Sequence, residues 1–235
     1  LIIISAPPNM HGLGMVITNH LKIVGVVPAS GASQRMGRDK AVLELEGRTF
    51  VQRAVDALRC GGCDDIIVVV PEVPTIIRAA ALNTDARVLT NPDPGEGPIT
   101  SMRVAIGHLD DSADAIAWLP VDFPLVSGEM VRRLCDLARR TLAPLTLPVH
   151  EYFIEDVRHE KRGHPAIFSR ALFSELLDPA LKGGARTVVH RHLEHAAIEV
   201  FRDPRVATDI DTPSAYEAVQ AGRTPYEDQP PQTKD

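Results

Sequence analysis

Over the first 140 positions, apolar residues come in short unbroken blocks separated by stretches with helical spacing. Lys22–Val27 (KIVGVV), Asp65–Val70 (DIIVVV), Arg87–Thr90 and Ala115–Leu119 (AIAWL) are rich in β-branched or small apolar residues and show no polar alternation. That pattern predicts strands buried on both faces. Between and after them, Phe50–Leu58, Thr75–Leu82, Ile99–Leu109 and Glu129–Arg140 read as helices, the last with its basic end where the helix dipole favours it. Alternating strands and helices predict an α/β fold, a mostly parallel sheet covered on both faces with right-handed crossovers.

The pattern changes after Leu145. Leu145–Val149, Ala166–Phe168 and Ile198–Arg202 are strand-like, Arg170–Leu177 and Thr212–Gln220 are helical, and Glu151–Arg162 is charged and irregular. This half reads as a mixed C-terminal extension of the same sheet. Residues 222–235 are polar and carry prolines, which predicts a disordered tail. The chain starts at Leu1 and Met15 stands just before the first strand, so residues 1–14 read as a loose extension and 15–221 as a single domain.

Composition narrows the class of partner. A formal net charge of -6 argues against a nucleic-acid partner, and any positive field for an anionic ligand must be local. No apolar run is long enough to span a membrane. The three cysteines form no disulfide framework, and a reducing cytoplasm fits them. Cys60-Gly61-Gly62-Cys63 has the spacing of a redox or zinc pair, but its glycines fall where a helix should stop before a strand, and the helix stop is the better reading. His190, His192 and His195 read as a solvated helical face rather than a metal site.

The local positive charge lies in the loop after the first strand, Pro28 to Lys40 (PASGASQRMGRDK). Ala29, Ser30, Gly31, Ala32, Ser33 and Gly37 are small enough for the backbone to approach a ligand, and their N–H groups can cradle phosphate oxygens. Arg35, Arg38 and Lys40 add cations. The loop is not a Walker loop, because Gly31 and Gly37 are six positions apart and Arg38-Asp39 follows Gly37, and the chain lacks the GxGxxG dinucleotide fingerprint. Asp122 follows the fourth strand in Leu119-Pro120-Val121-Asp122-Phe123-Pro124, and Asp211 precedes the last helix in Asp209-Ile210-Asp211-Thr212-Pro213. Mg²⁺ is commonly held by one or two carboxylates plus phosphate oxygens. A turn aspartate at 122 and a capping segment at 211–213, with Thr212 as N-cap and Pro213 at the first helical position, are the competing readings.

Taken together these segments resemble the molybdopterin nucleotidyltransferase-like NTP transferases. The loop at 28–40 is similar to that family's LAAGxSxRMGxxK signature. The resemblance runs on through Gly97-Pro98-Ile99-Thr100-Ser101, the segment around Asp122, Arg162-Gly163-His164-Pro165, Lys182-Gly183-Gly184-Ala185-Arg186 and the segment around Asp211. The GHP, GAR and DIDTP elements point to the branch that includes molybdenum cofactor cytidylyltransferase. The resemblance implies a Rossmann-like three-layer α/β/α sandwich of the nucleotide-diphospho-sugar transferase type. It also implies Mg²⁺-dependent transfer of a nucleoside monophosphate, from CTP by preference, to a small phosphorylated acceptor such as molybdopterin cofactor, with release of pyrophosphate. On that reading Arg35, Lys40 and Asp122 are catalytic, the 28–40 loop binds the triphosphate, and Ser101 lies near the base or ribose. Asp122 and Asp211 hold Mg²⁺, and His164 and Arg186 face the acceptor. The chain departs from the family pattern at Pro28, at Phe123 where the cytidylyl branch often has Gln, and at Gly184 where Asp is expected. The rival readings are guanylyl or uridylyl transfer, a non-catalytic nucleotide-binding accessory protein, and an oxidoreductase, against which the missing fingerprint argues. Oligomeric state is not legible in the sequence.

Overall fold

The computed structural model describes residues 20–30, 36, 38–73 and 75–223. In chain order the elements are β1 (Ile23–Pro28), β2 (Glu44–Leu45), β3 (Arg48–Thr49), α1 (Phe50–Cys60), β4 (Asp65–Pro71), α2 (Thr75–Leu82) and β5 (Arg87–Asn91). There follow α3 (Pro98–Gly107), β6 (Ala115–Trp118), α4 (Gly128–Thr141), β7 (Leu145–Ile154), β8 (Val157–Arg162) and β9 (Ala166–Ser169). The last are α5 (Phe173–Leu177), α6 (Ala185–His192), β10 (Ala197–Phe201) and α7 (Pro213–Gln220). The extension expected over 1–14, most of the tail expected over 222–235, and Gly31, Ala32, Ser33, Arg35 and Gly37 lie outside the described residues.

The main sheet runs β10-β7-β9-β6-β1-β4-β5, with β8 paired to β7. β1 is parallel to both β4 and β6, β4 to β5 and β10 to β7, while β9 runs antiparallel between β6 and β7. This is the predicted mostly parallel sheet with a mixed C-terminal part. The unbroken apolar blocks divide between its two faces as expected. Ile23, Val27, Val68, Val70 and Ala117 pack against α1, α2 and α4. Val24, Val26, Val69, Ile116 and Phe168 pack against α3, α5 and α6. The result is three layers, α/β/α.

Helix starts and stops follow local chemistry. Thr49 and Gln52 form a reciprocal capping box ahead of α1, worth about 1 kcal/mol. Gly61 closes the same helix and Gly62 turns the chain at φ 83°, so the Cys60–Cys63 segment is the helix stop that its glycines suggested.

The structure corrects one element. Glu151–Arg162 is not irregular: it completes β7 and forms β8, an antiparallel hairpin turning at Glu155 and Asp156, whose φ values are 48° and 64°. Positive φ at both central residues is what a tight hairpin with the natural twist needs. The strands are held by the Arg158–Glu151 and Arg158–Glu160 ion pairs and by stacking of Tyr152 on His159. Both faces of this arm carry polar residues, so no hydrophobic alternation marked it.

Candidate active site

Three segments far apart in the chain meet beyond the carboxyl ends of β1 and β6. Lys40 opens a single 3₁₀ turn, Lys40–Val42, anchored by buried Ala41 and by the Phe50 N–H donating to the Leu43 carbonyl at 2.8 Å. Asp122 lies in the tight turn after β6, where the Leu119 N–H reaches the Val26 carbonyl at 2.9 Å and the Phe123 N–H the Pro120 carbonyl at 3.1 Å. Asp211 is carried to the same place by one bond: the Ile210 N–H donates to the Asp122 carbonyl at 2.8 Å. Ile210 is buried with Leu43, Leu45, Phe50 and Val219 in a small core of its own. Thr212, not Asp211, caps α7, accepting from the Ala215 N–H at 3.2 Å.

The side chains converge accordingly. Lys40 Nζ is ion-paired with Asp211 and lies 3.8 Å from Asp122 Oδ2. Lys161, from β8, pairs with Asp209 at 3.4 Å. Burial pushes the Asp122 carboxyl up to about 6; the Lys40 ammonium pulls it down, and Asp211 and Asp209 push it further up. Asp122 Oδ1 is buried and has no hydrogen-bond partner among the described residues. A buried acceptor without a partner costs stability, and such groups cluster where a ligand supplies the missing contact.

This donor set fits a hard divalent cation. Asp122 and Asp211 offer carboxylate oxygens close to one another, and the orphaned Oδ1 offers an open lone pair. Among the described residues no group of three or more His, Cys, Asp or Glu side chains is arranged to hold an ion, so an ion here would need oxygens from a substrate.

His164 packs against the turn that carries Asp122. Its ring meets Phe123 edge-on with centroids 4.5 Å apart, and Nδ1 bonds the Trp118 carbonyl at 3.2 Å. Burial lowers its pKa to about 4, against smaller opposing pulls from the Trp118 carbonyl and Asp209. The unfolded chain therefore takes a proton near pH 6.5 that the folded chain refuses until about pH 4. Stability should fall as pH drops through that window, by up to about 3 kcal/mol. Urea titrations at pH 7 and pH 4.5 should show His164→Asn, which keeps a donor for Trp118, losing less on acidification than the native chain.

Gly163 brings this segment in. A side chain there would overlap the Val206 carbonyl, because the His164 N–H bonds that same carbonyl at 3.0 Å. Gly163→Ala should cost about 2–4 kcal/mol in urea denaturation, the penalty of forcing two backbones apart.

Arg186 is not among the converging groups. It is exposed on α6 and lines a cleft of about 440 Å³ together with Glu96, Ile99, Arg103, Trp118 and Gly184. Trp118 joins the two regions, as it ends β6 and its carbonyl holds His164. Gly184 sits at φ 61°, ψ -153°, a region essentially closed to other residues, which accounts for glycine where the family pattern has Asp. Ser101 is fully buried and its hydroxyl bonds Ser30. Ala29 is fixed by its N–H donating to the Val69 carbonyl at 2.7 Å, so Pro28, lacking an N–H, still ends the strand in register. Asn91, Lys161 and Asp209 belong to this region and were not singled out from the sequence. Asp209 stood in a motif already noticed. Asn91 and Lys161 carried no pattern.

An open, mostly parallel sheet with polar loops gathered at its carboxyl edge defines a three-layer α/β protein whose ligand crevice lies at that edge. Comparison narrows this: residues 25–196 match the MobA-like NTP transferase domain, and the chain belongs to that family. A probable molybdenum cofactor guanylyltransferase of Methanothermobacter thermautotrophicus is 32% identical over 48% of this chain and 57% of its own length, so this chain spans little more than half of that relative. A nicotine blue oxidoreductase of Paenarthrobacter nicotinovorans is 30% identical over 81% of this chain and 92% of its own length. Among solved structures, Rv0371c of Mycobacterium tuberculosis superposes with a TM-score of 0.69 at 28% identity, covering 85% of this chain and 98% of that one. A manganese complex of Rv0371c gives a TM-score of 0.67 at 26% identity over the same shares. No helix among the described residues is long and apolar enough to cross a membrane.

Proposed function

We propose that this chain is a nucleotidyltransferase that moves a nucleoside monophosphate from an NTP to a small phosphorylated acceptor of the molybdopterin type, releasing pyrophosphate. The observation that carries the proposal is the meeting of Lys40, Asp122 and Asp211 at the carboxyl edge of the sheet. GTP is the favoured donor, since the relative from Methanothermobacter is named a guanylyltransferase; this replaces the CTP preference that the GHP, GAR and DIDTP elements suggested.

Asp122 and Asp211 are the residues that would hold a divalent ion, with Mg²⁺ proposed and Mn²⁺ suggested by the Rv0371c complex. Such an ion supplies charge neutralisation at the phosphates. The chain's own groups do the rest. Lys40 offsets the charge that builds on the triphosphate oxygens, and the loop from Ala29 through Ser33 to Gly37, with Arg35, cradles them. The acceptor's phosphate oxygen attacks the α-phosphorus, a new P–O bond forms, the bond to the bridging oxygen breaks, and pyrophosphate leaves. No side-chain nucleophile takes part, because positioning and electrostatics suffice for this chemistry. His164 and Arg186 are assigned to the acceptor side and Ser101 to the neighbourhood of the base.

The oxidoreductase among the relatives favours a second reading, a reductase built on the same fold. A thermal-shift panel separates the two, because ligand binding raises the melting temperature by mass action. GTP with Mg²⁺ or Mn²⁺ should raise it more than CTP, ATP or UTP, and pyrophosphate should be released when molybdenum-loaded molybdopterin is added. A shift with NADH or NADPH and none with any NTP would overturn the transferase reading.

A further inference from the structure

Next to the cleft, a buried hydrogen-bond network ties the loop after β5 to the head of the loop after β1. Asn91, which ends β5, is 1% exposed, Ser30 is 8% exposed and Ser101 is fully buried. The Asn91 amide donates to Thr100 Oγ1 at 2.8 Å and to Ser101 Oγ at 3.0 Å, with Ser30 Oγ at 3.5 Å. The Ser30 and Ser101 hydroxyls bond each other. Asn91 Oδ1 accepts from the Asp93 N–H at 3.0 Å, and Thr100 Oγ1 donates to the Gly97 carbonyl at 2.9 Å. One amide therefore grips both ends of the 92–97 loop and reaches the first residues of the phosphate-cradling segment. Polar groups buried this deeply are costly unless satisfied, and a satisfied network fixes one arrangement of the elements that it joins.

Ser101 cannot touch a ligand while it is fully buried; it acts by receiving the Asn91 amide and bonding Ser30. The loop that Asn91 grips supplies Glu96 to the wall of the cleft, beside Pro98 and Ile99 at the start of α3. We infer that Asn91 is a positioning residue that holds the 92–97 loop at a fixed spacing from Ser30, so that nucleoside and triphosphate are received together. The inference rests on the nucleotidyl-transfer reading. The two ends of the network depend on Asn91 unequally. Ala29 keeps its own backbone bond to Val69, so the start of the phosphate loop survives loss of the amide. The 92–97 loop loses its bonds from Asn91 to Asp93 and Thr100.

The test compares binding of GTP with binding of inorganic tripolyphosphate, both with Mg²⁺, by calorimetry on the whole chain. In Asn91→Ala the Kd for GTP should weaken about tenfold or more, the loss expected from a misplaced binding group, while tripolyphosphate stays within about threefold. Ser101→Ala should show the same pattern to a smaller degree, and the double variant should be no worse than Asn91→Ala, since both act on one network. Ser101→Ala, which changes no charge and breaks the same network, carries the test if Asn91→Ala does not fold. Equal weakening of both ligands would overturn the inference, as would unchanged GTP binding in a variant of native melting temperature. A native chain that binds neither ligand refutes the transfer reading itself and the inference with it.

Discussion

Replacing Lys40 by alanine should lower the rate of pyrophosphate release from GTP and molybdopterin by about a hundredfold or more, the usual cost of removing one preorganised electrostatic contact to a transition state. The structure gives the reason for so large an effect. Lys40 is the cation shared by Asp211 and Asp122, and its side chain is only 15% exposed. Its removal leaves two carboxylates facing each other, which repels the triphosphate as well as withdrawing its counter-charge. Lys40→Arg should recover little. A planar guanidinium cannot reproduce a compact ammonium placed between two carboxylates. The measurement is kcat and KM for both variants. A near-native kcat in Lys40→Ala would remove this lysine from the catalytic assignment, whatever happened to KM.

The three residues of this centre were legible one at a time. Lys40 stood in a loop of small and cationic residues after the first strand, and Asp122 after the fourth, and the carboxyl edge of an open α/β sheet is where such residues do chemistry. Asp211 was harder, because Thr212 and Pro213 explain its segment as a helix start, and the structure shows that they do form one. What no pattern showed was the bond from the Ile210 N–H to the Asp122 carbonyl, which joins the two loops directly. Convergence of this kind is set by backbone pairing between loops and by one buried isoleucine, neither of which is periodic.

The same contrast holds for the fold. β1, β4 and β6 are buried on both faces, so their apolar blocks are unbroken and unmistakable. The β7–β8 arm projects beyond the sheet, and its charges hid it until the register paired them across strands. Helix α6 buries only Val188, too little for an apolar stripe to form. Asn91 is a single polar residue at a strand end, and its importance comes entirely from what packs around it.

Asp122→Asn separates what this carboxylate does for the reaction from what it costs the fold. The replacement keeps the shape and removes the charge. Turnover should fall about a hundredfold or more, because the group proposed to hold the divalent ion beside Lys40 is lost. Stability in metal-free buffer should move the other way. The native carboxylate carries a buried Oδ1 without a partner among the described residues, in the field of Asp211 and Asp209. Removing the charge should stabilise the chain at pH 7 by up to about 3 kcal/mol, the cost of keeping ionised a carboxyl that burial raises to about 6. Nucleotide binding sharpens the distinction. GTP without metal should bind the variant at least as tightly as the native chain, since one negative charge no longer opposes the phosphates. The gain in affinity that Mg²⁺ or Mn²⁺ gives the native chain should largely disappear. A variant that is both less stable and equally responsive to metal would mean that Asp122 serves the turn after β6 and not the ion, and the centre would have to be rebuilt around Asp211 and Asp209.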